Sequence, residues 1–243
     1  MSDGSHALVD IECDGCGKLL INVKWQRYKK YQKEDGKYYC QGCSKILFNK
    51  IKYIETACTG IGKYKPWVNG VITTQYNAWR NMLMRCYDEK NFLKQPTYED
   101  CTVCEEWHNF QNFAKWYDDN YYEVEGNSTQ IDKDILVKGN KIYSPDTCCF
   151  VPQNINKLLT NSSVRRGLYP IGVISQNNQY GASCRDGSGT RIHLGLYKTP
   201  ELAFEAYKIY KEESIKILAE KHYGLIPKNV YNALIEYKVE ITD

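Results

Sequence analysis

Hydrophobic and polar positions change period several times along this chain, and each change predicts a different element. In "TTQYNAWRNMLMRCYDEK" the residues Tyr76, Trp79, Leu83 and Cys86 recur at spacings of three or four, so they line one helix face, with Thr74 as its cap. "EEWHNFQNFAKWYDDN" repeats the device with Phe110, Phe113 and Tyr117. Both stripes read as core. "TQIDKDI" alternates in part and predicts a strand. "LVKGNKIYSPDT" carries the loop signals Gly139-Asn140 and Ser144-Pro145. "CCFV" predicts a second short strand, and Pro152 suits the first turn of a helix in "PQNINKLLT".

Further along, strands are predicted over about 171–175, 180–185 and 191–196, separated by the turns "QNNQ" and "DGSG". Thr199 then caps a helix that has Pro200 at its first position. Alternation places Ile192, Leu194 and Leu196 on one face of the third strand, with Arg191 and His193 on the other. In the second strand Ala182 and Cys184 oppose Ser183 and Arg185. The helix covers the apolar face with Leu202, Ala203, Ala206, Tyr207 and Tyr210. The tail "IPKNVYNALIEYKVEITD" predicts a short helix packed on the domain. Near the N-terminus, "LLINVKWQRYKKYQ" and "GKYY" read as short strands around a turn.

These elements predict an α+β protein in three blocks. Residues 1–60 form a small zinc-ribbon-like module. Residues 61–160 form a strand–loop–strand–helix (ββα-metal) core with flanking helices. Residues 161–243 form a three-stranded antiparallel sheet backed by a helix.

Composition narrows the class. The 243 residues are 42% hydrophobic and 25% charged with a net charge of +3, so global charge does not announce a nucleic-acid partner. The modest total hides a local excess: residues 161–200 hold Arg165, Arg166, Arg185, Arg191 and Lys198 against Asp186 alone. Tyrosine, with 21 copies, suits small cores and polar interfaces. No apolar run is long enough for a membrane span, and the polar start "MSDGSHALVDIE" has no leader pattern. A cytoplasmic protein with reduced thiols is expected, so the 11 cysteines point first to metal.

Cys13-x-x-Cys16 and Cys40-x-x-Cys43 flank 23 residues. Two thiolates separated by two residues turn in on one ion, and two such pairs complete a tetrahedral site suited to structural zinc. Four thiolates leave no open position for catalysis; the other reading is four buried free thiols. The run Lys24, Arg27, Lys29, Lys30 and Lys33 is either a phosphate contact or a solvated face. Cys101-x-x-Cys104, completed by Cys86 and Cys148, is a candidate second zinc site, or a set of buried thiols that pack as small hydrophobes.

Three motifs carry a resemblance. Tyr76, Trp79, Met82, Arg85, Cys86 and Tyr87 form the first. Val103, Cys104, Trp107, Phe110, Phe113 and Trp116 form the second, and "IDKD" followed by "GNKIYSPDTC" the third. Over roughly residues 70–160 the chain resembles bacteriophage HNH-type endonucleases of the homing or free-standing kind. The resemblance implies Asp132 as first metal ligand, Asn156 (or Asn154 beside it) as helix ligand, and a Mg²⁺ or Mn²⁺ ion between them. It puts Lys133 where active members have a histidine base, and Thr147 where they have the asparagine that orients it. A lysine is protonated at neutral pH and accepts no proton, so it suits binding of a phosphate or of transition-state charge. Water activation then falls to the metal, to Asp134, or to a residue from elsewhere such as His108.

"YPIGV" and "LGLYKTPELAFEAY" resemble the plant ethylene-response-factor (APETALA-type) DNA-binding domain. That likeness implies a sheet laid in the major groove, with Ser183, Arg185, Arg191 and His193 on the side facing double-stranded DNA. Three functions are weighed: a site-recognising DNA endonuclease acting in a bacterial host cell, a non-cutting phage DNA-binding protein that retains the nuclease fold, and a phage protein that binds a host protein.

Overall fold

The computed structural model describes residues 7–14, 17–33, 36–48, 57–160, 168–186 and 188–243, and the side chains of these except 45–48. In chain order the described elements are β1 (Leu8–Glu12), β2 (Leu19–Lys24), α1 (Trp25–Tyr31), α2 (Gln41–Phe48), β3 (Trp67–Val68), β4 (Val71–Ile72), α3 (Thr74–Tyr87), α4 (Glu89–Phe92), β5 (Thr102–Val103), α5 (Phe110–Asn120), β6 (Thr129–Asp132), β7 (Ile142–Tyr143), β8 (Cys149–Pro152), α6 (Gln153–Leu159), β9 (Val173–Gln176), β10 (Gln179–Arg185), β11 (Arg191–Tyr197), α7 (Pro200–Lys221) and α8 (Lys228–Ile235). The protein is mixed α+β, with eight α-helices and one three-stranded antiparallel sheet among the described residues. No described helix is long and apolar enough to cross a membrane.

Two compact units emerge. The first combines Met1–Tyr87 with Val103–Asp118; the second combines Asp88–Thr102 with Asp119–Asp243.

In the first unit, β1 pairs antiparallel with β2, with Val9 opposite Val23 and Ile11 opposite Leu20. β1 was not expected: Val9 and Ile11 do alternate with Asp10 and Glu12, but the polar start masks so short a signal. The expected strand through 25–31 is instead helix α1. Past Val23 the segment holds no β-branched residue, and Gln, Arg and Lys favour helix. Its inner side is a ladder of rings, with Trp25 at 5.2 Å from Tyr28 and Tyr28 at 5.5 Å from Tyr38. "GKYY" contributes only the isolated bridge of Tyr38 with Gln32.

Helix α3 buries Trp79, Met82, Leu83 and Cys86, and Phe110, Phe113, Ala114 and Tyr117 are buried on α5. Phe110 meets Tyr76 edge-on at 5.2 Å and Trp79 at 5.5 Å, so the two aromatic stripes form one core. The cap of α3 is Thr73, one residue before the expected Thr74: its Oγ1 accepts the Tyr76 N–H at 3.4 Å. Gln111 ties residues 59–64 to this core, donating to the Thr59 and Tyr64 carbonyls and accepting the Tyr64 N–H.

In the second unit, β6 and β8 pair antiparallel, with Thr129 opposite Pro152 and Asp132 opposite Cys149. Pro152 ends β8 and caps α6. Val151, Ile155 and Leu158 pack with Ile215 and Ala219 of α7 and with Val230 and Leu234 of α8. The sheet runs in the order β11-β10-β9, and Val173, Ala182 and Cys184 pack with Ala203, Phe204 and Tyr207 from the other end of α7. One 22-residue helix thus walls two cores. Thr199 caps it, accepting the Leu202 N–H at 3.3 Å, with Pro200 in the first turn. Leu202, expected in the apolar layer, is 53% exposed, and Phe204 takes that place. With Ala203 and Tyr207 inward, the helical period turns position 202 outward.

Candidate functional site

The thiol cluster forms where two chain reversals meet. The Gly17 N–H bonds the Cys13 carbonyl at 2.9 Å, and Cys13 N–H bonds the Lys18 carbonyl at 3.0 Å, closing the first turn. Asp14 holds this turn against the approach to the second pair: its N–H reaches the Tyr38 carbonyl at 2.9 Å, and its Oδ2 accepts the Tyr38 N–H at 2.7 Å. The sulfurs of Cys13, Cys40 and Cys43 then lie within 4.8 Å of one another, close enough to hold one metal ion. Cys40 N–H points at the Cys13 sulfur (3.2 Å), and Cys43 N–H at the Cys40 sulfur (3.4 Å). Backbone N–H groups aimed at cysteine sulfurs are partners that a metal-bound thiolate accepts. Cys16 lies outside the described residues.

Among the described residues this is the one such cluster. Burial raises the pKa values of Cys101 and Cys104, so these thiols are neutral at physiological pH.

The β6–β8–α6 segment gathers polar side chains on one strand face. Asp132 ends β6. Its Oδ1 accepts the N–H groups of Asp134 and Ile135, each at 2.9 Å, which fixes the carboxylate as the chain turns away. Gln130 shares its strand face two positions earlier. Asn156, from α6, donates through Nδ2 to the Gln130 Oε1 at 2.9 Å. Asn154 faces its own helix start, accepting the Ile155 N–H at 2.9 Å.

Desolvation, followed by the neighbouring Asp134 carboxylate, pushes the Asp132 pKa up to about 6. The backbone donors work against this shift without cancelling it. A carboxylate whose negative charge is under-compensated is what a bound cation relieves.

Lys133 points away from this face. It is 8% exposed and donates to Asp134 Oδ2 at 3.1 Å and to the Asn140 carbonyl at 2.9 Å. Asn140 answers by donating to the Lys133 and Ile142 carbonyls, both at 2.7 Å, so the pair closes loop 133–142. Burial works to lower the Lys133 pKa, but the charge and hydrogen bond of Asp134, with Cys101 and Asp132, together turn the net shift upward. The ammonium is therefore neither a base nor presented to a ligand; the hydrophilic pattern around Lys133 concealed this internal clamp. Thr147 serves the same hairpin, bonding Ser144 Oγ and the Ile142 carbonyl at 2.8 Å. His108 belongs to the first unit, with its ring edge-on to Tyr87 at 6.4 Å.

One set of contacts had no sequence signal. Lys138, beyond Asp132, donates to the Lys238 carbonyl at 2.7 Å and pairs with Asp243 at 2.8 Å. The C-terminal tail therefore holds the loop that follows the site.

The sheet's open face is set by register. Arg185 stands opposite Arg191, and Ser183 opposite His193. The pairing then slips between Ala182 and Ser183, so Ala182 faces Gly195 and Gly181 faces Leu196. Gly195 takes φ = +130°, a conformation open to glycine. The extra residue reverses the alternation. Leu196, expected inward, is 43% exposed on the open face, and Tyr197 turns into the core. Ser183 is 8% exposed; its Oγ accepts Arg191 Nε at 3.1 Å and so orients that guanidinium. Arg185 bonds the Gly189 carbonyl at 3.2 Å. Asp186 is spent on the hairpin: its Oδ1 accepts from the Ser188 and Thr190 N–H groups and the Ser188 hydroxyl. No protein-family model, curated protein or solved structure matches the chain.

Proposed function

We propose that this protein is a site-recognising DNA endonuclease of the HNH type, with a divalent cation at Asp132 and Asn156 and an altered base position. The observation that carries this reading is the β6–β8–α6 arrangement. It puts a strand-end carboxylate, Asp132, on the face that Asn156 reaches from the following helix through Gln130. The carboxylate's raised pKa supports a cation there. A Mg²⁺ or Mn²⁺ ion would supply Lewis-acid stabilisation of a scissile phosphate and acidify its water. Asp132 offers that ion the oxygen not engaged by the backbone, and Asn156 offers Oδ1, while Gln130 orients the carboxamide. Arg185 and Arg191 meet the phosphates and base edges of duplex DNA. Zinc suits the cluster of Cys13, Cys40 and Cys43, with Cys16 as the fourth ligand supplied by the motif.

Lys133 favours a second reading. Its ion pair with Asp134 engages both groups next to Asp132, leaving neither as an evident base. A non-cutting DNA-binding protein that retains the fold follows from that contact.

One assay separates the two. The protein is incubated with supercoiled DNA and Mg²⁺ or Mn²⁺, beside Asp132→Ala. Metal-dependent nicking that Asp132→Ala abolishes supports the endonuclease. Duplex binding without nicking by either protein supports the binder. Absence of both activities removes the DNA reading.

A further inference from the structure

The β3–β4 hairpin is apolar on both faces. Trp67 stands opposite Ile72 and Val68 opposite Val71, and strand alternation puts the two pairs on opposite faces. An antiparallel pair commonly turns one face to a core and a polar face to water. Here Trp67 is 56% exposed, Val68 52% and Val71 67%. Asn69 and Gly70, at φ = +50° and +79°, close the two-residue turn that an Asn-Gly pair suits.

A lone two-stranded hairpin is marginal in water, yet this one is clamped at its root. The Thr73 hydroxyl donates to the Lys65 carbonyl at 2.9 Å, and the Thr73 N–H to the Pro66 carbonyl at 3.0 Å. Gln111 fixes the chain leading in, through both the N–H and the carbonyl of Tyr64. The hairpin is therefore a preset blade with an exposed apolar tip.

Its surroundings are basic. Residues 57–87 contain Lys63, Lys65, Arg80 and Arg85 and no Asp or Glu. Lys63, Lys65 and Arg80 are exposed. Asp118 of α5 reaches this segment but is engaged by Gln75 Nε2 at 2.7 Å. An apolar blade with cations at its root is complementary to a polyanion whose interior is a stack of apolar faces, which describes duplex DNA.

We infer that this hairpin enters the minor groove of duplex DNA and that Trp67 wedges open a base-pair step there. The inference rests on the DNA-binding reading above and adds a contact made by the first unit. Groove size and chemistry select the minor groove. The major groove, about 12 Å wide, admits a two-stranded ribbon undistorted, but it is read largely by hydrogen-bonding side chains. The blade offers three aliphatic groups and an indole. The minor groove, about 6 Å wide, must open to take a ribbon, and an apolar wedge that unstacks a step opens it by kinking the duplex. Lys63 and Lys65, at the root, suit the phosphates that line the groove.

The test uses the full chain and the duplex that it enriches from a random library. 2-Aminopurine, whose fluorescence rises on unstacking, replaces each adenine of the recovered site singly. One step should brighten severalfold on binding. Trp67→Ala should abolish that rise and weaken binding about tenfold, the weight of one aromatic–base stack. Trp67→Phe should retain part of both, and Lys65→Ala should reduce the salt slope of binding by about one. Melting curves confirm that the variants fold. If Arg191→Ala weakens binding while Trp67→Ala binds like the parent and no position brightens, the hairpin is not a DNA contact and DNA binding stands. If Trp67→Ala alters only the sedimentation of the free protein, the hairpin joins copies of this chain and the inference falls. Failure to bind any duplex overturns both readings.

Discussion

Asn156 donates its carboxamide N–H to Gln130, the residue that shares a strand face with Asp132 two positions further on. Through that bond the helix that follows the second strand is keyed to the carboxylate end of the first. The candidate cation site is therefore a property of a three-element unit and not of one loop.

The raised pKa of Asp132 makes stability depend on pH in a defined direction. The ordinary value is 3.8 and the folded value about 6, so the folded state holds the proton more tightly than the unfolded chain does. That contribution is complete below pH of about 4 and disappears as pH rises through about 6. Asp132→Asn keeps an oxygen acceptor for the Asp134 and Ile135 N–H groups. In divalent-free buffer it should be more stable than the parent at pH 7, on the order of 2 kcal/mol, and nearly equal at pH 4. Urea melts at both pH values check this. A gap independent of pH would show that Asp132 is not strained by its charge.

The thiol cluster should make the first unit depend on metal. Freshly purified protein should carry about one zinc ion, as expected for a four-ligand structural site. Cys43→Ser should reduce the zinc content and lower the melting temperature, because ligand binding energy is folding energy in such modules. Elemental analysis with a thiol titration reads the outcome. Four titratable thiols with no metal in the native protein would identify a free-thiol cluster.

Gly172, just before β9, faces Tyr207 of α7. It sits at φ = +78°, and a Cβ there would run into the Tyr207 ring. Gly172→Ala should cost about 2–4 kcal/mol, from a strained backbone angle together with overpacking. Chemical denaturation measures it; a loss below about 0.5 kcal/mol would mean that Tyr207 moves aside freely.

The arginines of the open face should differ in role. Arg191 is braced by Ser183, whereas Arg185 holds a carbonyl of its own hairpin. Arg191→Ala should relax preference among DNA sequences, at about 1–3 kcal/mol for one base contact. Ser183→Ala should do so more weakly by releasing the guanidinium. Competition binding against random duplex ranks the variants, and identical sequence preference in all of them would remove this face from recognition.

Much of the second unit was legible where local chemistry and packing agree. Thr199-Pro200 announced α7, and the Asn177-Asn178 and Asp186–Thr190 turns bounded three strands whose lengths match the alternation. The failures have physical causes. An even alternation reads straight through Gly195, because one extra residue leaves no trace in the polar pattern; only pairing with β10 exposes the slip. Trp25 and Tyr28 suit strand or helix equally, and ring stacking on Tyr38 decides. Lys133 reads as a surface cation in any sequence scan, since its carbonyl partner at Asn140 is defined only once the loop closes. The proximity of Asn156 to Gln130 depends on the helix returning across the strand, which no spacing rule states.

Helix α7 stands in two cores at once, with Phe204 and Tyr207 under the sheet and Ile215 and Ala219 against α6. Thermodynamically the surface that would read a duplex and the segment that would hold a cation are one purchase of order, not two. A fragment ending at residue 160 would leave Val151, Ile155 and Leu158 bare to water, and one beginning there would leave half of a long helix without its wall.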